Sequence, residues 1–157
     1  MERGSTVFLR GVIVIIGLIV LGLCVIGLPA LIKSELTTSD FDYGWIFVGL
    51  YAPAVPFFFA LYQALKLLGY IDRNQAFTDL AVGGLKKIKY CALAISGMFA
   101  AGMPYVFYVA DRDDAPGVAA LGFVIIFASF VIAMAAAVFQ RLFQNAVDIK
   151  SENDLTV

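Results

Sequence analysis

The chain has 157 residues, of which 62% are hydrophobic and 15% charged, against roughly 45–50% and about 25% in soluble domains; its mean hydropathy is +0.92. So few charges cannot cover so much apolar surface in water, which excludes a soluble globular domain. A net charge of −1 without a strong basic cluster excludes direct nucleic-acid binding, and the absence of histidine removes the commonest general base and metal ligand.

In chain order, charges punctuate four apolar stretches: Gly11–Ile32, Gly44–Leu65, Tyr90–Ala110 and Ala115–Gln140. Each reaches the ~20 residues a helix needs to cross a ~30 Å hydrocarbon core. Only helices and closed barrels satisfy the backbone in lipid, and these runs lack strand alternation. The expected fold is an all-α integral membrane protein, one membrane domain over 1–157. Its four transmembrane helices are expected near 8–32, 44–68, 89–110 and 115–143. The first stretch exceeds the ~7–15 residues of a signal-peptide core and lacks a small-x-small cleavage site, so it reads as a retained helix.

The loop 69–88 between spans two and three is the most organised polar segment. Phe77, Ala81, Leu85, Ile88 and Ala92 fall on one helical face. Thr78 is placed to cap a helix, and Phe77 to staple onto Val82. The spacing therefore predicts a cytoplasmic amphipathic helix before the third span, turning into it at Gly83 and Gly84. This helix could lie among headgroups, with Lys86, Lys87 and Lys89 near anionic lipid, or present a docking surface. The segment from Asp148 onward is mixed in charge and reads as a frayed tail.

Orientation follows from lysine and arginine. Nine of the eleven are Arg3 and Arg10 in the N-terminal tail, Lys66, Arg73, Lys86, Lys87 and Lys89 in and beside the loop between spans two and three, and Arg141 and Lys150 in the C-terminal segment; only Lys33 and Arg112 lie in the other two loops. Positive residues favour the cytoplasm, so both termini and the central loop are expected there, in a plasma membrane. The outer loops, Lys33–Tyr43 and Asp111–Asp114, are too short for a domain. Tyr43, Trp45, Tyr105 and Tyr108 are expected at the outer interface, and Tyr70 and Tyr90 at the inner one.

Lipid does not drive helices together, so small residues mark contacts. Ala92, Ser96 and Ala100, and Ser129, Ala133 and Ala137, are expected to face protein. Pro53, Pro56 and Pro104 are expected to kink their helices, freeing the carbonyls of Gly49, Ala52 and Ala100. Cys24 and Cys91 read as small buried residues at different depths. The span cores contain no ionisable carboxylate or amine, which argues against a charge-relay pump or ion-coupled transporter.

The stretch RGSTVFLR (3–10), the stretch RNQAFTDLAVGGLKKIKY (73–90) and four spans in this length together resemble the YoaS-like family of small bacterial membrane proteins. The resemblance covers nearly the whole chain and is most specific at Arg73-Asn74-Gln75-Ala76-Phe77-Thr78. It implies a domain of unknown function, no established catalytic residues, and a weak link to a small cytoplasmic helix-turn-helix regulator.

No Walker loop, HExxH or CxxC occurs, and no serine has a histidine partner. No enzyme, cofactor or metal site is expected. Asp111, Asp113 and Asp114 lack the glycine and terminal glutamate of an EF-hand. The leading reading is a non-enzymatic membrane regulator or adaptor. Its expected partner-binding residues are Arg73, Asn74, Phe77, Lys86, Lys87 and Lys89. Membrane lipids and a small DNA-binding regulator are its expected partners, and the little surface buried by four short helices leaves room for a homo-oligomer. The alternatives are small-molecule transport or permeation, motivated by the prolines and by Tyr62 with Gln63, and protection against membrane-active peptides.

Overall fold

The computed structural model describes residues 3–27, 29–30, 33 and 48–156. Helix α1 is Arg3–Gly22 and runs into a π-helical turn, Leu23–Gly27. A short helical stretch at 48–51 precedes α2, Ala54–Asp72; α3 is Asp79–Arg112 and α4 is Pro116–Leu155. Among the described residues, four helices are long and apolar enough to cross a membrane. The chain is an all-α, multi-pass membrane protein. Side chains such as Val7, Phe8, Leu18 and Ile19 on α1 are 61–72% exposed, an arrangement that lipid tolerates and water would not.

Two tight turns set the antiparallel order. After α2, Asn74 takes a left-handed φ of 55°. Its N–H donates to the Ile71 carbonyl, and the Gln75 N–H to the Tyr70 carbonyl at 2.8 Å. These are the paired bonds of a Schellman cap, which satisfy carbonyls a helix end would leave open. The α3–α4 turn repeats the device: Asp114 has φ 49°, and the Ala115 N–H donates to the Ala110 carbonyl at 2.9 Å. Pro116 then opens α4, where its missing N–H costs nothing.

Each helix packs chiefly on its sequence neighbours, most extensively α3 on α4. The buried residues of α3 include Val82, Leu85, Ala92, Ser96, Met103 and Ala110, and those of α4 are Ala119, Gly122, Ser129, Ala133 and Ala136. These positions step by threes, fours and sevens, the rhythm of a coiled-coil seam. Ala92, Ser96, Ser129 and Ala133 are buried as expected, but Ala137 is only half-buried and Ala100 is exposed. The cause is angular: each four-residue step overshoots a full turn by about 40°, so two steps carry Ala100 off the seam. Met103 replaces it and lies against Gly122, where an added Cβ would stand 2.9 Å from the Met103 sulfur. Ser96 Oγ crosses the same seam to donate to the Ile126 carbonyl at 3.3 Å.

Other expectations also shift. Residues 79–89 are the first turns of a continuous α3, with no separate amphipathic helix and no break at Gly83–Gly84; Gly84 is buried there. The C-terminal segment is helical to Leu155, tied by bonds from Gln144 to Asp148 and from Ser151 to the Asp148 carbonyl. Pro53 occupies the N-cap of α2 and Pro56 its first turn, where helix N–H groups have no intrahelical partner. They mark a break between two helical pieces rather than a mid-helix kink. Pro104 lies inside the continuous α3. Cys24 and Cys91 are half-buried and free. Tyr105 is half-buried, whereas Tyr108 and Tyr90 are exposed. The expectations placed on the loop after Lys33 and on Tyr43 and Trp45 fall outside the described residues.

Candidate docking surface at the lysine-bearing end

Helices α3 and α4 have 34 and 40 residues, about 51 and 60 Å at 1.5 Å per residue. Both exceed the ~30 Å a hydrocarbon core requires. At the end of the molecule away from the α3–α4 turn, side-chain contacts tie α4 to α3 and the turn before it as far as Phe143. There the Phe77 ring meets Phe143 edge-on, 5.5 Å between centroids. One level deeper, Lys89 Nζ donates to Gln140 Oε1 at 3.0 Å and stands 5.1 Å from the centre of the Tyr90 ring. The result is a structured helical platform contiguous with the spans.

The residues singled out in the sequence divide into distinct roles. Arg73 is the C-cap of α2 and is exposed. Asn74 is the left-handed cap residue. Phe77 is 52% exposed and is held by Phe143 rather than aimed inward. Thr78 stands at the N-cap of α3 with extended backbone, and its carbonyl accepts from the N–H groups of Ala81 and Val82. Its hydroxyl, however, donates backward to the Gln75 carbonyl at 2.7 Å. Lys86 and Lys87 are exposed, while Lys89 is half-buried. Two ammonium groups are thus available at the surface, and the third is engaged between helices. Leu80, 61% exposed, adds an apolar element beside them.

Sequence reasoning did not single out Phe143, nor Arg10 and Asp72 as a pair. Arg10 Nη2 lies 2.8 Å from Asp72 Oδ2 and ties α1 to the end of α2. At the far end of α1, the Tyr51 hydroxyl donates to the Cys24 carbonyl at 2.8 Å, within the π-helical turn. Opposite charges and a phenol at interface depth were the available signals, but neither names a partner 27 or more residues away. Tyr62 and Gln63, paired in the transport reading, part company. Tyr62 is 59% exposed and Gln63 is 6% exposed, so they do not line one path together.

The family model described as "Protein of unknown function (DUF2975)" matches residues 38–157, which include the whole platform. A curated relative, "Uncharacterized membrane protein YoaS" of Bacillus subtilis (strain 168), is 53% identical over 160 residues, covering 100% of both chains. The chain belongs to this family. No solved structure matches it. The family stretch Arg73–Thr78 now has a physical role: it closes α2 with a Schellman cap and starts α3 six residues later. A specific sequence signature here is therefore at least in part a turn requirement. Among the described residues no cluster of three or more Cys, Asp or Glu could hold a metal ion. The surface offers cations, an aromatic edge and aliphatic groups, which suit recognition.

Proposed function

We propose that the chain is a non-enzymatic regulator or adaptor of the bacterial plasma membrane. Both termini and the α2–α3 turn face the cytoplasm, and the platform recruits a small soluble protein, a helix-turn-helix DNA-binding regulator. The observation that carries this reading is the paired extension of α3 and α4 beyond bilayer length, joined by Phe77–Phe143 and Lys89–Gln140. A rigid, water-facing extension with exposed Lys86, Lys87 and Leu80 presents charge and apolar area in one orientation, and preorganisation lowers the cost of binding. The excess of lysine and arginine at this end supports its cytoplasmic placement.

Two measurements test the reading. In a Cys24→Ser/Cys91→Ser background, labelling of Lys150→Cys and of Asp113→Cys with a membrane-impermeant maleimide in intact cells should modify Asp113→Cys alone; the reverse pattern would invert the topology. Crosslinking in native membranes, with mass spectrometry of the material attached to the tagged full chain, should recover a stoichiometric soluble DNA-binding protein. That recovery should fall with Phe77→Ala and with Lys86→Glu/Lys87→Glu. Recovery of only the chain itself and lipids would remove the adaptor role.

A further inference from the structure

At the end of the molecule opposite the platform there is an apolar cavity of about 370 Å³. It is lined by Gly49 and Leu50 before α2, by Gly102, Tyr105 and Val109 on α3, and by Val118 on α4. The volume lies within the ~300–1,000 Å³ usual for small-molecule sites. Two of its walls are glycines. A Cβ built on Gly49 or Gly102 meets nothing within 4 Å, so at both positions a side chain is missing from open space.

Two of the lining residues flank a charged turn. Val109 and Val118 bracket the α3–α4 turn, which carries Asp111, Asp113 and Asp114 against a single basic residue, Arg112. The three carboxylate residues are exposed, and the turn is ordered: the Asp113 N–H donates to the carbonyl of cavity residue Val109 at 3.0 Å. The Schellman bond from Ala115 to Ala110, with the left-handed Asp114, closes it. An apolar recess thus leads, through Val109 and Val118, to an ordered turn with three carboxylates against one guanidinium.

We propose that this cavity binds the hydrocarbon part of a single-chain cationic amphiphile, an alkyl amine or quaternary ammonium, whose positive end rests at Asp111, Asp113 and Asp114. A chain in the recess and a cation at the carboxylates satisfy both features at once. A phospholipid suits the site less, because its phosphate lies between chain and amine and would meet the carboxylates first. This site is at the other end of the chain from the docking platform and does not depend on it.

The test uses the full chain in phosphatidylcholine nanodiscs and two photoreactive probes, a diazirine-bearing dodecyltrimethylammonium and the matching dodecyl sulfonate. Labelled peptides are mapped by mass spectrometry, with labelling of α1 as the reference for partition into lipid. The cationic probe should label the 98–109 and 118 regions about tenfold more than the sulfonate, the preference expected from one to two exposed charge contacts. Asp111→Asn/Asp113→Asn/Asp114→Asn should abolish that preference while leaving the fold intact, since asparagine tolerates a left-handed φ. Gly102→Leu and Gly49→Leu, each growing into open space, should abolish labelling by both probes with helicity retained. Equal labelling by the two probes would assign the cavity to an ordinary acyl chain and overturn the proposal, as would undiminished labelling in the filled variants.

Discussion

Lys89 and Gln140 are 51 residues apart and share a hydrogen bond of 3.0 Å between α3 and α4. On α4 the bond lies between Ala136, the last buried residue of the seam, and Phe143, so it continues the α3–α4 pairing toward the platform. Polar links between membrane helices contribute ~0.6 kcal/mol on average. A double-mutant cycle of Lys89→Leu and Gln140→Leu, followed by unfolding in mixed micelles, should give a coupling of about 0.5–1 kcal/mol. A value near zero would place the ammonium in lipid headgroups instead. The cycle also separates Lys89 from Lys86 and Lys87, whose substitution should leave unfolding unchanged.

Asn74 answers whether the family signature is a turn or a contact. At φ 55° glycine is as good as asparagine or better, while a β-branched residue costs roughly 1–2 kcal/mol. Asn74→Gly should keep the thermal midpoint, and Asn74→Val should lower it. If Asn74→Gly keeps stability yet abolishes partner capture, the amide itself makes contact; if capture also survives, its part in the signature is the cap.

Gly122 sets the approach of α3 to α4. Met103 fills the place of its missing side chain, with Val106 4.0 Å away. The methionine end is flexible, so Gly122→Ala should change stability little, the small clash offset by helix propensity. Gly122→Leu has no such room and should lose about 1–3 kcal/mol by overpacking, read as an earlier unfolding midpoint. Gly97, whose added Cβ meets nothing within 4 Å, is the control: Gly97→Leu should be tolerated.

Helix α1 has little apolar attachment, with Thr6 its buried residue, and Gly17 meets Leu61 of α2 at a built Cβ distance of 3.3 Å. Its polar ties therefore carry weight at the ends. Tyr51→Phe removes the donor to the Cys24 carbonyl and should raise amide exchange through Leu23–Gly27 without changing the midpoint for α3–α4. Arg10→Ala should affect the other end, by less than about 1 kcal/mol, because the pair with Asp72 is partly exposed. Exchange unchanged in Tyr51→Phe would mean the π-helical turn holds itself.

The sequence by itself determined the number of spans, the all-helical class and the position of Thr78 at the start of α3. These follow from run length, charge punctuation and local capping, which act within a few residues. It also determined the uneven distribution of lysine and arginine from which orientation is argued. Only the tertiary structure decided which faces meet. In water an apolar stripe marks the buried side, but in lipid every face is apolar, so Ala100 and Met103 look equally eligible for the seam. Helical geometry and the antiparallel partner chose Met103. In the same way Lys86, Lys87 and Lys89 read alike along the chain, and only α4 gave Lys89 a partner. The π-helical turn held by Tyr51 and the cavity between Gly49 and Gly102 depend on backbone paths and distant neighbours. No local pattern of residues encodes those.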